Sequence, residues 1–234
     1  MTTFGLSAQG VTIAAESERV LDSVNVCDGG IKGVATLLGN GETYITDLKV
    51  SVEFENFKPY CIELEDGYSP LIEVFDFGSD ENLLFSSSQT GGSGGYGNYR
   101  VYRLKTQSYQ LLYDDEMDSE HTTFGAVFKP DGFMELRNNN TAEHTLTVDV
   151  KYMDKVFYDK IFADDGSLKG EEPYVNAISF ISPSLNPASG FWRLITYRSV
   201  AAVAEVNRLG YIVQTLDFDG MRFVPTFTEF SIGL

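Results

Sequence analysis

The sequence predicts an all-β protein, an antiparallel β-sandwich or jelly-roll-like arrangement, built as one large domain or as two packed lobes. Three observations carry this. Period-2 alternation of apolar and polar residues recurs along the chain. Turn-forming pairs punctuate it at short spacing: Asn40 with Gly41, Asp66 with Gly67, Asp131 with Gly132, Asp165 with Gly166, and Asp219 with Gly220. Each joins a residue that tolerates a left-handed backbone to a glycine that adopts it without steric cost. Seventeen Phe and thirteen Tyr stand against one Trp, and flat rings pack well on a pleated surface.

Two alternations are long enough to assign faces. Over 46–55, Leu48, Val50, Val52 and Phe54 fall on one side, while Asp47, Lys49, Ser51, Glu53 and Glu55 fall on the other. Over 145–152, Leu146, Val148, Val150 and Tyr152 oppose Thr147, Asp149 and Lys151. Shorter strands are expected at 11–15, 19–26, 59–64, 71–77, 99–104, 109–113, 123–128 and 133–137. Further strands are expected at 156–162, 174–181, 191–197, 211–218 and 227–232. The segment 199–209, SVAAVAEVNRL before Gly210, reads two ways. Val200, Val203 and Val206 suit a helix, whereas Val200, Ala202, Ala204 and Val206 suit a strand.

The tract 86–98, SSSQTGGSGGYGN, has the composition of a flexible connection. It divides the chain into an N-terminal β lobe at 1–86, a Gly/Ser-rich loop or linker at 87–98, and a C-terminal β lobe at 99–234. It serves equally as one long loop of a continuous domain.

Composition excludes several functions. Thirty-four acidic residues face seventeen basic ones, for a formal net charge of −17. Phosphate backbones and anionic bilayers demand Lys and Arg, so nucleic acid is not expected as a partner, nor is membrane insertion. No apolar run approaches the ~20 residues that span a bilayer, and the opening lacks the basic and apolar regions of a signal peptide. Cys27 and Cys61 do not make a disulfide framework in 234 residues. Buried free thiols are expected over a bridge.

The glycine tract matches two motifs by spelling alone. Gly92 to Gly97 fits G-x-G-x-x-G, but a dinucleotide site needs a following helix, and here the strand-like YRVYRL follows. Gly91 to Gly95 fits G-x-S-x-G, but a nucleophile elbow needs a strained strand-to-helix turn. His121 follows the acidic run 114–120, which lacks the spacing of a calcium loop and reads as a solvated loop. His144 reads as a surface residue at a strand start. No catalytic residue, metal ligand or cofactor is expected.

Tyr96, Tyr99, Arg100, Tyr102 and Arg103 form a positive, aromatic island in an acidic chain. Tyr and Arg anchor interfaces through rigid area and bidentate hydrogen bonds. These five are the candidate contact residues, for a neighbouring subunit or a glycan, against the plainer alternative of a tyrosine-rich edge strand.

The opening Met1 to Leu6 (MTTFGL), Gly10 to Ile13 (GVTI) and Arg19 to Leu21 (RVL) resembles the start of tailed-bacteriophage virion proteins of the minor tail, tail-tip or baseplate type. The resemblance covers about the first 25 residues and carries over no functional residues. It implies a non-enzymatic structural role in the virion, at the tail tip, at the baseplate or as capsid decoration. The partners it implies are other virion proteins and further copies of this chain, with a host-surface glycan as a further contact. It also implies synthesis in the host cytoplasm. Two other functions fit the composition. One is a carbohydrate-binding or adhesion β-sandwich, and the other is a glycan- or ester-hydrolysing enzyme whose carboxylates are not legible in sequence.

Overall fold

The computed structural model describes residues 18–78, 83–91, 96–140 and 145–232, without the side chains of 119–121 and 205–206. The fold is all-β and antiparallel. Eight strands come first: β1 (Arg19–Asp28), β2 (Ile31–Asn40), β3 (Tyr44–Phe54), β4 (Tyr60–Glu63), β5 (Gly67–Phe75), β6 (Leu83–Gln89), β7 (Gly97–Lys105) and β8 (Ser108–Asp114). They form one sheet in the order β1-β2-β3-β5-β6-β7-β8, with β4 also pairing β3. Helix α1 (Asp115–His121) follows, then a three-stranded sheet of β9 (Phe124–Lys129), β10 (Phe133–Asn138) and β11 (Thr145–Asp149). After α2 (Lys155–Ile161), a four-stranded meander closes the chain: β12 (Pro173–Leu185), β13 (Trp192–Ala202), β14 (Ala204–Phe218) and β15 (Phe223–Ser231).

The alternation in β3 does what its period requires. Leu48, Val50, Val52 and Phe54 are all buried. They share a core with Ala35, Leu37 and Ile62 on one side and Ile72, Leu84, Tyr102 and Leu104 on the other. Because β3 and β5 pair at just Tyr44–Tyr68 and Ile45–Gly67, the sheet bends there and its two halves close over this first core. A second core lies on the other side of β6 and β7, where Leu83, Phe85, Tyr99 and Val101 meet Ile181, Leu194, Leu216 and Phe223 of the meander. A third joins Phe128, Met134, Leu136, Ile161 and Phe162 to Val200, Leu209 and Ile212.

β6 and β7 therefore bury both faces, and this settles the Gly/Ser tract. Pairing from Leu84–Tyr102 out to Gln89–Gly97 makes the segment between them a hairpin connection. Ser86 and Ser88 are buried strand residues, and β7 and β8 belong to the first sheet. The chain passes to its second half after β8, near Asp114. Residues 92–95 of the tract and the strand expected at 11–15 lie outside the described residues.

Other expectations need correction. The segment 156–162, expected as a strand, is α2. Asp154 caps it by accepting from the Val156 N–H at 2.8 Å, and Lys155 pairs with Asp159 one turn on, at 2.8 Å. The acidic run expected as a solvated loop is α1, capped by Asp114, which accepts from the Met117 N–H at 2.7 Å. Asp115, Glu116 and Asp118 in its first turn complement the positive end of the helix dipole. The two-way segment 199–209 resolves as strand, split between β13 and β14, with Val203 in the left-handed region at φ 66°. Neither β2 nor β6 was among the expected strands. Cys27 and Cys61 are both free, but neither is buried as expected: Cys27 is half-buried on β1 and Cys61 is exposed on β4.

Candidate interaction surface

The five residues singled out in sequence lie on or beside β7, and the structure uses them internally. Tyr99 and Tyr102 are each 2% exposed. Alternation along β7 sends Tyr99 and Val101 into the second core and Tyr102 and Leu104 into the first. Arg100 pairs with Glu65 on the strand connection before β5. Arg103 donates to Gln110 Oε1 at 3.3 Å and to the Gly220 carbonyl at 2.8 Å, with its guanidinium 5.7 Å from the Phe218 ring. Tyr96 is half-buried, and its carbonyl accepts from the Thr90 N–H at 3.0 Å at the base of the β6–β7 hairpin. Of the five, Tyr99 and Arg103 join the first sheet to the meander, while Arg100 and Tyr102 make their contacts within the first sheet.

The exposed aromatic surface lies elsewhere, on the outer face of the meander. Directly opposed residues of an antiparallel ladder point to the same side. Register places Phe180, Tyr197, Val213 and Glu229 in one cross-strand row. Ser182, Ile195, Thr215 and Phe227 form the next row, and Ser199, Tyr211 and Ser231 the row on the other side. Of these residues Glu229 alone is charged. Phe180 is 46% exposed and Phe227 58%. The rings form a chain: Phe180 to Tyr197 at 5.3 Å between centroids, then Tyr197 to Tyr211 at 6.3 Å. Arg208 lies over Tyr211 at 5.1 Å and donates to its hydroxyl.

The residue after Tyr197 points the opposite way and holds the sheet from below. Arg198 and Asp118 form an ion pair with their side chains 4% and 5% exposed. Arg198 also donates to Gln214 Oε1 at 2.8 Å, and its guanidinium lies 5.6 Å from the Phe124 ring. Gln214 Nε2 in turn donates to Thr228 Oγ1 at 3.2 Å. Burial pushes the Arg198 guanidinium down to about 10, still far above neutrality, so it stays charged at pH 7. One contact thus ties α1 to β13, with side-chain bonds running on to β14 and β15.

Beside this pair the Tyr113 hydroxyl is buried without a hydrogen-bond partner among the described residues, and burial pushes its pKa up. Replacing Tyr113 with Phe removes an unsatisfied polar atom and keeps the shape. The expected result is a stabilisation of about 1 kcal/mol, read by denaturant unfolding.

No group of three or more His, Cys, Asp or Glu side chains among the described residues is placed to hold a metal ion. The side chains of His121 and His144 lie outside the described residues. Among the described residues no helix is long and apolar enough to cross a membrane.

No solved structure matches the chain. Over 160 residues it is 22% identical to the uncharacterised protein YybI of Bacillus subtilis (strain 168), an alignment covering 68% of this chain and 61% of that protein. The chain thus spans less than two thirds of that relative's length. Residues 122–231 match the family model described as the YybI C-terminal domain. The matched span opens directly after α1 and takes in the three-stranded sheet, α2 and the meander. The part of this chain that carries the exposed aromatic face is accordingly the part that resembles the YybI C-terminal domain.

Proposed function

We propose that this chain is a non-enzymatic structural protein that packs against copies of itself through the outer face of the meander. The observation that carries the proposal is a ring-rich sheet face, with Glu229 the one charged residue in its three rows, on a chain of net charge −17. Interface cores are enriched in aromatic residues and depleted of charge, and contiguous apolar patches on soluble proteins mark contact sites. The particle setting, a phage tail tip, baseplate or decoration, is the finer part of the proposal. It rests on the opening residues, most of which lie outside the described ones.

The face measures on the order of 300 Å², from four strands about 4.8 Å apart and rows spaced along them. A standard interface buries roughly 800 Å² per partner. A single pairwise contact is therefore weak, and assembly is driven by concentration and by closure of a symmetric ring. Light scattering across a concentration series tests this, with a discrete oligomer expected at high concentration. A strict monomer at every concentration overturns it. Because like-charged subunits repel, raising salt from ~0.05 M to ~0.5 M is expected to strengthen association. A glycan partner is the second reading, favoured by the same chain of rings, and a sugar-binding screen on the monomer separates the two.

A further inference from the structure

The structure assigns a second site, which shares Phe227 with the meander face: the cleft between the three-stranded sheet and the β14–β15 pair binds a neutral, mostly apolar small molecule that carries an acceptor oxygen. The cleft has a volume of about 460 Å³. Phe124, Leu136 and Leu146 line it from the three-stranded sheet, and Ile212, Phe227 and Thr228 from the meander. The cleft opens to solvent beside the exposed Pro225, Thr226 and Phe227, so a ligand can enter it and displace water. Its size falls in the range of ligand pockets, roughly 300–1,000 Å³, and its lining follows their pattern of apolar walls with a few placed polar groups.

The lining chemistry selects the ligand. No residue lining the cleft is ionisable, in a chain where 22% of residues are charged. A charged ligand would lose its hydration there without finding a counter-charge, so the occupant is neutral. The polar atoms are already oriented. Thr228 Oγ1 accepts from Gln214 Nε2 at 3.2 Å, which leaves its own O–H to donate. Asn138, also in the lining, accepts from the Asn140 N–H through Oδ1 at 3.0 Å, which leaves its amide N–H groups to donate. Two donors among apolar walls fit a ligand with an ester, amide or ketone oxygen on a hydrocarbon body.

The buried network stiffens this site. The Asp118–Arg198 pair bonds Gln214, which holds Thr228, and the Arg198 guanidinium faces the Phe124 ring. Both a donor and a wall of the cleft are thereby fixed before any ligand arrives, which lowers the ordering cost of binding.

The test uses Nile red, a neutral apolar fluorophore with a carbonyl oxygen, on the full chain. Saturable binding of one probe per chain is expected, displaced by methyl laurate and not by the laurate anion. Leu146→Trp, at a half-buried position on an edge strand, fills the cleft and is expected to abolish the signal while far-UV circular dichroism stays unchanged. Thr228→Val keeps the shape but removes the donor, and is expected to weaken binding roughly 5–10-fold. Phe180→Asp, on the assembly face and outside the cleft, is expected to bind the probe as the natural sequence does. The inference is overturned by absence of saturable binding or by full binding to Leu146→Trp. Loss of binding in Phe180→Asp with retention in Leu146→Trp also overturns it, because the probe then sits on the meander face.

Discussion

Replacing Asp118 with Ala is expected to destabilise the protein by about 3–5 kcal/mol, because it leaves the Arg198 guanidinium buried without its counter-charge. Arg198 is 3% exposed and sits on a central strand of the meander, so it cannot reach water without opening the sheet. Its remaining bonds, to Gln214 and at 3.4 Å to Thr196 Oγ1, involve neutral groups and do not replace a carboxylate. For a chain of this length 1 kcal/mol corresponds to roughly 2–4 °C, so Tm is expected to fall by about 6–20 °C. Differential scanning calorimetry reads this directly. The double variant Asp118→Leu with Arg198→Met removes both charges at once and is expected to recover most of the loss, since a buried pair and its apolar replacement are often close in energy. If Asp118→Ala melted within a degree of the natural protein, α1 would not be fixed to the meander by this contact.

Replacing Tyr102 with Ala is expected to cost about 3–5 kcal/mol, and Tyr99 with Ala a similar amount, as for large aromatic residues lost from a core. Tyr102 fills the space between the two halves of the first sheet beside Leu84 and Leu104, and its ring meets Tyr109 edge-on at 5.7 Å. Tyr99 packs 6.4 Å from Phe85 on the far side of the same strand. The removed volume in each case lies between sheets that other contacts hold apart, so little collapse is available to offset the cavity. Tyr96, half-buried at the hairpin base, is expected to cost no more than about 1 kcal/mol. Chemical denaturation of the three variants separates core from surface. Equal small effects would show that β7 does not carry two buried faces.

These two variants mark where sequence reasoning runs out. The alternation in β3 is legible because one strand with one wet face obeys a period of two. β7 hides its placement because both of its faces meet cores, Tyr99 and Val101 on one side and Tyr102 and Leu104 on the other, so no wet face marks which side is which. β2 escapes notice for a related reason. Gly33 interrupts its apolar pattern, yet a Cβ there would lie 2.7 Å from the Phe54 ring and 2.6 Å from the Glu53 carbonyl, so the glycine is what lets β2 pair with β3. In α2 the residues Val156, Phe157 and Tyr158 favour strand by composition, and the cap at Asp154 decides for helix.

The candidate site was less legible than the fold. Phe180, Tyr197, Tyr211 and Phe227 come from four strands, and no local pattern reveals that register aligns them. Arg198 and Asp118 are 80 positions apart. Tyr99, Arg100, Tyr102 and Arg103 were expected to meet a neighbouring subunit or a glycan, whereas their contacts lie within the chain, as where Arg103 reaches the Gly220 carbonyl.

The central claim, that the outer face of the meander is the packing surface, is tested most directly by sedimentation velocity on two single variants. Tyr197→Asp places a charge in the middle of the ring chain. Phe191→Asp does the same at an exposed ring that none of the three face rows includes. With folding verified by circular dichroism, the account predicts that Tyr197→Asp stays monomeric at concentrations where the natural chain and Phe191→Asp assemble. Assembly of Tyr197→Asp with the natural chain's concentration dependence would contradict it and place the contact on another surface.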